Sequence, residues 1–252
     1  MQPSASFKLS FWLIVAGFLV VGIVLALAPG LDLRISAWFY DAAARSFPMA
    51  TNRVIVILRD ANRAIDILFG VVAAAVVLFK LWRPSLPMPV SGRALLFLSL
   101  TFALAPGLVA NAIFKENWGR PRPVHVTEFN GAAKFVPWDT LGGECRRNCS
   151  FFSGEVSAAA WTLAPAVLMP PPARGVAVAA ALAFTAVIAF VRISAGGHFF
   201  SDAAFALLAT ALIIWLMYGA IYRGWWRDAT EEIIERRMTR FAGAVRRLFG
   251  AG

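Results

Sequence analysis

Three short polar groups interrupt an otherwise apolar chain, and their residue types suit the binding and transfer of phosphate. They span residues 115–123, 152–155 and 192–202. Arginine presents a planar fork that matches two phosphate oxygens, and lysine supplies a compact positive charge. A histidine with an aspartate four residues later can be held in one tautomer, which leaves its other ring nitrogen free to attack phosphorus. The combination predicts a phosphate site with a nucleophilic imidazole.

Each member of this predicted site has a defined role. His198 is the nucleophile, and Asp202 orients it. Ser153 and Gly154 stand at a predicted helix start, where unpaired N–H groups and the helix dipole favour an anion and glycine permits close approach. Taken one at a time, the groups also fit plainer roles as membrane-edge anchors, a helix cap or a buried histidine–aspartate pair. The residues predicted to bind phosphate are Lys115, Arg122, Ser153, Gly154 and Arg192.

The composition decides what kind of protein holds the site. The chain has 252 residues, 60% of them hydrophobic and 15% charged, with a mean hydropathy of +0.69. Soluble domains are nearer ~45–50% apolar and ~25% charged, so a soluble enzyme, a disordered chain and a disulfide-rich mini-protein are excluded. The formal net charge is +10, but the basic residues are spread between apolar stretches. That layout favours anionic lipid or a phosphorylated substrate over nucleic acid.

The apolar stretches predict an all-α, polytopic membrane protein with six transmembrane helices, since a spanning helix needs ~20 mostly apolar residues. The first stretch is too long for the apolar part of a secretory signal, so we interpret it as a retained helix. Residues 31–63 are too polar to cross, and Trp38, Phe39 and Tyr40 suit headgroup level. The predicted spans are residues 11–28, 67–79 with polar extensions, 94–114, 151–169, 175–191 and 203–222.

This layout divides the chain into a transmembrane domain, residues 1–222, and a basic tail, residues 223–252. Glutamates precede arginines in the tail, which complements a helix dipole, and its apolar residues predict an amphipathic helix on the membrane surface. A solvated tail is the alternative. Six spans place both termini on one side, and the basic residues flanking the short loops favour the cytoplasm. The three polar groups then share the opposite face, the periplasmic one in a bacterium.

Between residues 94 and 222 the polar residues follow three patterns: Lys with six residues before Arg-Pro, a Ser-Gly pair, and Arg with five residues before His and three more before Asp. This set resembles the signature of the type 2 phosphatidic acid phosphatase (PAP2) superfamily. The resemblance implies a PAP2-type helical core and a phosphatase that uses a phosphohistidine intermediate and no metal or other cofactor. It gives each residue the role proposed above. The sequence also has no paired Cys and His spacing that would suit zinc.

Three positions depart from the PAP2 pattern. Phe152 replaces the usual proline before Ser-Gly, and Val191 replaces the usual serine before the arginine; both changes are expected to be tolerated. Glu155 stands where the family has a histidine that protonates the leaving group. Glutamate is mostly ionised at neutral pH. Glu155 is therefore predicted to be either an acid tuned by its surroundings or a base that activates water.

Two further features of the polar loop have open interpretations. His125, three residues after Arg122, is either incidental or a substitute for the missing acid. Cys145 and Cys149 lie in the loop that we place outside the cytosol. An oxidising compartment permits a disulfide between them, and two free thiols are the alternative.

The sequence therefore predicts a lipid phosphatase of the cytoplasmic membrane that hydrolyses a phosphomonoester or diphosphate headgroup. A phosphate leaves a diphosphate readily as an anion, so Glu155 favours undecaprenyl diphosphate, whereas the loops resemble those of lipid A phosphatases. One alternative is transfer of the phosphate to a lipid or sugar acceptor. Another is a degenerate site that only binds an anionic lipid. The substrate lipid and the oligomeric state stay open.

Overall fold

The chain is a helical membrane bundle in the computed structural model, which describes residues 5–224, 226 and 230–248. These residues form no named β-strand, and the predicted all-α fold class is confirmed. Within them, five helices are long and apolar enough to cross a membrane. The helices are α1 (Ala5–Leu27), α2 (Leu31–Ala37), α3 (Arg53–Trp82), α4 (Gly92–Phe102), α5 (Lys115–Asn117), α6 (Gly154–Trp161), α7 (Leu163–Leu168), α8 (Pro171–Ser194), α9 (Phe200–Tyr222) and α10 (Glu231–Leu248).

The fourth predicted span, residues 151–169, is not one continuous helix. It forms α6 and α7, which are separated at Thr162. Pro165 has no N–H to pair with the carbonyl one turn earlier, and the Thr162 hydroxyl donates to the Ala159 carbonyl at 2.6 Å. α6 is buried against α8, α9 and the third span, so it carries small side chains instead of a lipid-facing apolar run. The prediction of six transmembrane helices is therefore not confirmed: five helices of the described residues could each cross a membrane, and the fourth predicted span is divided between α6 and α7.

The second span begins earlier than predicted. α3 starts at Arg53, and the Asn52 side chain caps it by accepting from two backbone N–H groups. Polar residues in a spanning helix are tolerated when they face the protein interior. Here the Asn62 amide donates to the Glu155 carbonyl at 3.1 Å. Residues 53–63, expected to lie outside the membrane helices, are therefore part of α3 and supply contacts to α6.

The third span changes its hydrogen-bonding register before it reaches the polar face. α4 passes into a π-helix, Ala103–Phe114, and then into α5. Pro106 cannot donate to an α-helical ladder, and the Asn111 amide donates to the Pro106 carbonyl at 2.6 Å. π-segments frequently occur at functional sites. This one ends where Lys115 begins α5.

The loop between α5 and α6 is tied to the end of the third span by backbone hydrogen bonds. The N–H groups of Cys145, Cys149 and Ser150 donate to the carbonyls of Gly119, Lys115 and Arg120, at 3.0, 3.0 and 2.8 Å. Gly119 has a φ of +76°, and a Cβ there would lie 2.8 Å from the Gly143 nitrogen. Only glycine fits both the conformation and the close approach. The loop is thereby held over the helix ends.

The tail helix α10 packs against α3 and α4 at the opposite end of the bundle. Glu231 accepts hydrogen bonds from the Ser91 hydroxyl and from the N–H groups of Gly92 and Arg93, so it caps α4. These bonds lower the pKa of Glu231, although partial burial opposes them. Ile234 is buried in a cluster shared with α4 and α9. The predicted tail helix is present over Glu231–Leu248, and residues 225, 227–229 and 249–252 of the tail lie outside the described residues.

Candidate active site

The three polar groups meet at one end of the bundle. Lys115 begins α5, Gly154 begins α6, and Arg192 lies in the last turn of α8. The Lys115 Nζ lies 2.9 Å from the position that a Cβ on Gly154 would take. The Arg192 guanidinium lies against Gly197, next to His198, and leaves no room for a side chain there. Elements distant in sequence therefore gather the predicted cations, helix start and imidazole.

His198 is 1% exposed and stands two residues before α9. Its Nδ1 lies 2.8 Å from the Ser150 carbonyl oxygen. A carbonyl can only accept, so Nδ1 carries the proton and Nε2 keeps a free lone pair. Burial lowers the pKa of His198 from 6.5 to about 4, and the positive charges of Arg192 and Arg122 act in the same direction. The ring is therefore neutral at pH 7, as the predicted nucleophile must be.

Asp202 does not hold the ring in the way that the sequence predicts. Its Oδ2 lies 3.6 Å from the His198 Nδ1, beyond a direct hydrogen bond. Oδ2 instead accepts from the Ser150 hydroxyl and from the Phe199 N–H, and Oδ1 accepts from Arg120. The Ser150 carbonyl orients the imidazole, and Asp202 provides a buried negative charge beside it.

Ser153 and Gly154 have different roles at the start of α6. The Ser153 hydroxyl accepts from the Val156 N–H at 3.3 Å, and its own N–H donates to the Asp202 carbonyl at 3.2 Å. Ser153 is therefore a helix cap and a link to α9. The N–H groups of Gly154 and Glu155 belong to the first turn, which has no intrahelical acceptor. These two amides are the ones that suit an anion.

Arg122 is positioned by the disulfide loop. Cys145 and Cys149 form a disulfide with their Cα atoms 5.7 Å apart. Between them, Asn148 accepts from the Arg122 Nη2 through its carbonyl at 2.9 Å and through its Oδ1 at 2.8 Å. The next residue after the disulfide is Ser150, which orients His198. One short loop thus positions both Arg122 and the His198 ring.

Glu155 lies between two arginines. Its Oε1 is 3.3 Å from the Arg63 Nη2, and its Oε2 is 2.8 Å from the Arg192 Nε. The second contact is an ion pair without the alignment of a hydrogen bond. An ionised carboxylate accepts protons and hydrogen bonds and donates none. The arrangement suits a base, and it also holds Arg192 in place.

A cavity of about 200 Å³ opens beside these groups. Lys115, Gly154 and Glu155 line it where it meets the site, and it continues past Asp66 and Asn111 between α3 and the π-helix. Its wall is mostly apolar, and the polar side chains in it can contact water or the polar part of a substrate. In the described part of the chain, no group of three or more His, Cys, Asp or Glu residues is arranged to hold a metal ion.

Comparisons with known proteins decide the family. A family model described as the PAP2 superfamily matches residues 94–226. The chain belongs to the PAP2 superfamily. It is 32% identical over 196 residues to the lipid A 4'-phosphatase of Francisella tularensis subsp. novicida (strain U112), which covers 77% of this chain and 88% of that relative. It is 38% identical over 114 residues to the lipid A 4'-phosphatase of Rhizobium leguminosarum, covering 45% and 48% of the two chains.

A solved structure shares the PAP2 fold. The chain aligns with the crystal structure of a transmembrane PAP2 type phosphatidylglycerolphosphate phosphatase from Bacillus subtilis with a TM-score of 0.53. The alignment covers 83% of this chain and 96% of that chain, and at 19% identity the likeness concerns the fold. Together with the family and the relatives, it confirms the predicted function class. The protein is a multi-pass membrane lipid phosphatase.

Some residues that contact the candidate site of this PAP2 protein could not be predicted from the sequence. Asp32, Arg63 and Ser150 make their contacts through side chains or carbonyls brought together by folding. Arg120 has a weak signal, because it is the first arginine of Arg120-Pro121-Arg122 and only one of the two fits the family pattern. His125 is exposed in a short turn, Pro123–His125. That exposure favours the incidental interpretation of this histidine.

Proposed function

We propose that the protein hydrolyses a phosphomonoester of lipid A or of a closely related phosphorylated glycolipid, through a phosphohistidine at His198. The observation that carries the proposal is the neutral, buried imidazole of His198, whose Nδ1–H donates a hydrogen bond to the Ser150 carbonyl. The lipid A 4'-phosphatase of Francisella, aligned over most of its length, supports this substrate class. A diphosphate lipid remains the competing substrate, because Glu155 replaces the acid that an alcohol leaving group requires.

In the first step, the His198 Nε2 attacks phosphorus and forms an N–P bond. The P–O bond to the sugar breaks, and its electron pair stays on the sugar oxygen, which takes a proton from solvent water. Lys115, Arg122 and Arg192 neutralise the phosphate charge, and the first-turn amides of α6 bind its oxygens. The Nδ1 proton stays on the ring.

In the second step, a water oxygen attacks phosphorus and the N–P electron pair returns to the His198 Nε2. Glu155 takes a proton from this water, and the hydroxide left by the first step then removes that proton as water. Atoms and charge are balanced over the two steps. Glu155 lies in the wall of the cavity of about 200 Å³ beside the site, where a water molecule can reach it.

The disulfide and the loop charges support a periplasmic active site. A disulfide persists in an oxidising compartment, and Cys145–Cys149 lies in the loop beside the site. The opposite end carries Lys80, Arg83 and Arg93, as expected of a cytoplasmic face. We therefore propose an inner-membrane protein with both termini in the cytoplasm.

The experiment is phosphate release by the purified protein from lipid A, undecaprenyl diphosphate and phosphatidate. We expect lipid A to be hydrolysed fastest and His198→Ala to abolish release while lipid binding is retained. His125→Ala, which changes the other histidine, is the matched control and should keep parental activity. Preference for undecaprenyl diphosphate would overturn the substrate assignment, and activity in His198→Ala would overturn the mechanism. Labelled phosphate found on a lipid acceptor and not in solution would indicate phosphotransfer.

A further inference from the structure

A buried chain of charged side chains connects the short helix α2 to Asp202, the aspartate beside His198. Asp32, Arg120 and Asp202 are 1%, 0% and 0% exposed. The Arg120 Nη2 donates to the Asp32 Oδ2 at 2.7 Å, and its Nη1 donates to the Asp202 Oδ1 at 2.5 Å. One guanidinium therefore bridges two carboxylates that are far apart in sequence. We refer to these three residues as the charge triad.

The charge triad is held by further hydrogen bonds from protein groups. Asp32 accepts from the N–H of Ser201 at 2.9 Å and from the Ser201 hydroxyl. Arg120 donates its Nε–H to the Val136 carbonyl at 2.8 Å, and its guanidinium lies 4.4 Å from the centre of the Phe199 ring. Each of these bonds fixes a position, so the triad has a defined geometry without requiring water.

The charges of the triad do not cancel. Two carboxylates and one guanidinium leave one net negative charge in the interior. A buried charge without a partner is unfavourable. A neutral pair, or an apolar contact, would attach α2 to α9 without that penalty. The extra carboxylate therefore points to a role other than attachment.

His198 is the group that can use this charge. Its Nδ1 lies 3.6 Å from Asp202, the end of the triad. When Nε2 bonds to phosphorus and Nδ1 keeps its proton, the neutral ring becomes a cation. Arg122 and Arg192 also lie near the ring, but Arg122 is hydrogen-bonded to Asn148 and Arg192 is ion-paired with Glu155. The triad thus holds one counter-charge for the one positive charge that forms.

We propose that Asp32 and Arg120 are positioning residues: Arg120 fixes the Asp202 carboxylate, and Asp32 keeps the net charge beside His198 negative. Without Asp32, the Arg120–Asp202 pair is neutral and the phosphohistidine cation has no counter-charge. The inference rests on the phosphohistidine mechanism proposed above. It adds that the mechanism depends on a residue of α2, outside the three polar groups that carry the family pattern.

The test is a charge cycle at the triad. Asp32→Asn makes the net charge of the triad zero, and the double variant Asp32→Asn with Arg120→Gln restores one negative charge. We expect Asp32→Asn to lower kcat by ~10–100-fold with little change in KM, because a transition-state charge is lost and substrate contacts remain. The double variant should be more active than Asp32→Asn alone, because Ser150 and Phe199 still hold the Asp202 carboxylate when Arg120 is changed. A double variant that folds and is equally or less active would overturn the proposal, since a purely structural role predicts accumulating loss.

Two further variants cover the case in which the double variant does not fold. Asp32→Glu keeps the charge and should retain activity within a few-fold of the parent. Equal losses in Asp32→Glu and Asp32→Asn would overturn the proposal. Ser36→Ala is the matched control, because Ser36 is buried on the same helix and carries no charge. It should leave kcat unchanged.

Trapping the phosphoenzyme separates this inference from the proposed function. The parent protein is mixed with lipid A labelled in its phosphate and quenched in base, which preserves phosphohistidine. No labelled protein in the parent would contradict the phosphohistidine mechanism itself. Labelled parent protein together with an unchanged rate of labelling in Asp32→Asn would overturn the charge triad alone. The expected result is rapid labelling of the parent and slow labelling of Asp32→Asn.

Discussion

At the scale of single residues, a backbone carbonyl fixes the tautomer of His198. The Ser150 carbonyl accepts a hydrogen bond from the Nδ1–H of the ring, and Ser150 directly follows the disulfide. A backbone acceptor cannot be removed by changing its own side chain, so the tautomer depends on the loop path. Asp202 then contributes charge, while its oxygens serve Arg120, Ser150 and Phe199.

The lowered pKa of His198 predicts how activity depends on pH. The ring must be neutral to attack, and its pKa of about 4 lies below the 6.5 of a free histidine. Activity is therefore lost as the pH falls through about 4, and not through 6.5. We expect kcat/KM, corrected for ionisation of the substrate phosphate, to stay level from pH 7 down to about pH 5, roughly one unit above that pKa. An acid limb centred near the ordinary histidine value would contradict a buried, neutral nucleophile.

Glu155 variants distinguish the two steps of the reaction. Glu155→Gln removes the base, so the phosphoenzyme should accumulate and its hydrolysis should slow by ~10²–10⁴-fold, the usual contribution of general base catalysis. Glu155→His restores the acid of the family pattern and should speed formation of the phosphoenzyme from an alcohol ester relative to Glu155→Gln.

The measurement is rapid-quench kinetics of labelled phosphoenzyme and free phosphate. Glu128→Gln changes an exposed carboxylate in the loop between α5 and α6 and serves as the control. Fast phosphoenzyme hydrolysis in Glu155→Gln would exclude Glu155 as the base.

At the scale of elements, the loop between α5 and α6 links separate parts of the site. Cys145→Ser with Cys149→Ser should free Asn148 and Ser150, which hold Arg122 and His198. We expect kcat/KM to fall by roughly 10-fold, since one misplaced charge contact contributes about 1–2 kcal/mol. Phosphate release by the parent with and without reductant checks this result. The double variant should not respond to reductant, and full activity in it would show that the disulfide does not hold the site.

The tail helix is expected to stabilise the bundle without affecting catalysis. Lys80 is buried, and its Nζ pairs with Glu235 of α10 and donates to the Leu86 carbonyl. Glu235→Gln leaves this ammonium without its counter-charge, which should lower the free energy of unfolding by about 1–3 kcal/mol. Thermal denaturation in detergent measures the change, with exposed Glu232→Gln as the control. A fall in kcat at unchanged stability would contradict this role.

At the scale of the whole molecule, the helix directions place the site and the tail on opposite faces. With the two cysteines replaced, Glu144→Cys in the outer loop should react with a membrane-impermeant maleimide in intact cells. Pro89→Cys, in the loop between α3 and α4, should react only after lysis. Both positions are exposed, so access depends on the side of the membrane. The reverse pattern would place the active site in the cytoplasm.

Only some of the membrane helices could be predicted from the sequence. Hydropathy predicts the long lipid-facing helices, because a bilayer requires continuous apolar runs of nearly fixed length. It fails at α6 and α7, which face protein, and at the start of α3, whose polar residues find partners inside the bundle. A helix that packs against other helices does not need the continuous apolar surface that lipid contact requires, and hydropathy detects only that surface.

The sequence by itself predicted the residue types of the proposed site, because the spacing within each polar group, from Lys115 to Arg122 and from Arg192 to Asp202, is short enough to be set by local helix and turn geometry. Tertiary structure decided that Arg120 is buried in an ion pair, whereas Arg122, two residues later, is held by Asn148. It also brought Asp32 to Arg120 across a separation of 88 residues. Such pairings depend on how distant helices pack, and burial then makes each unpaired charge unfavourable. No local pattern along the chain contains that information.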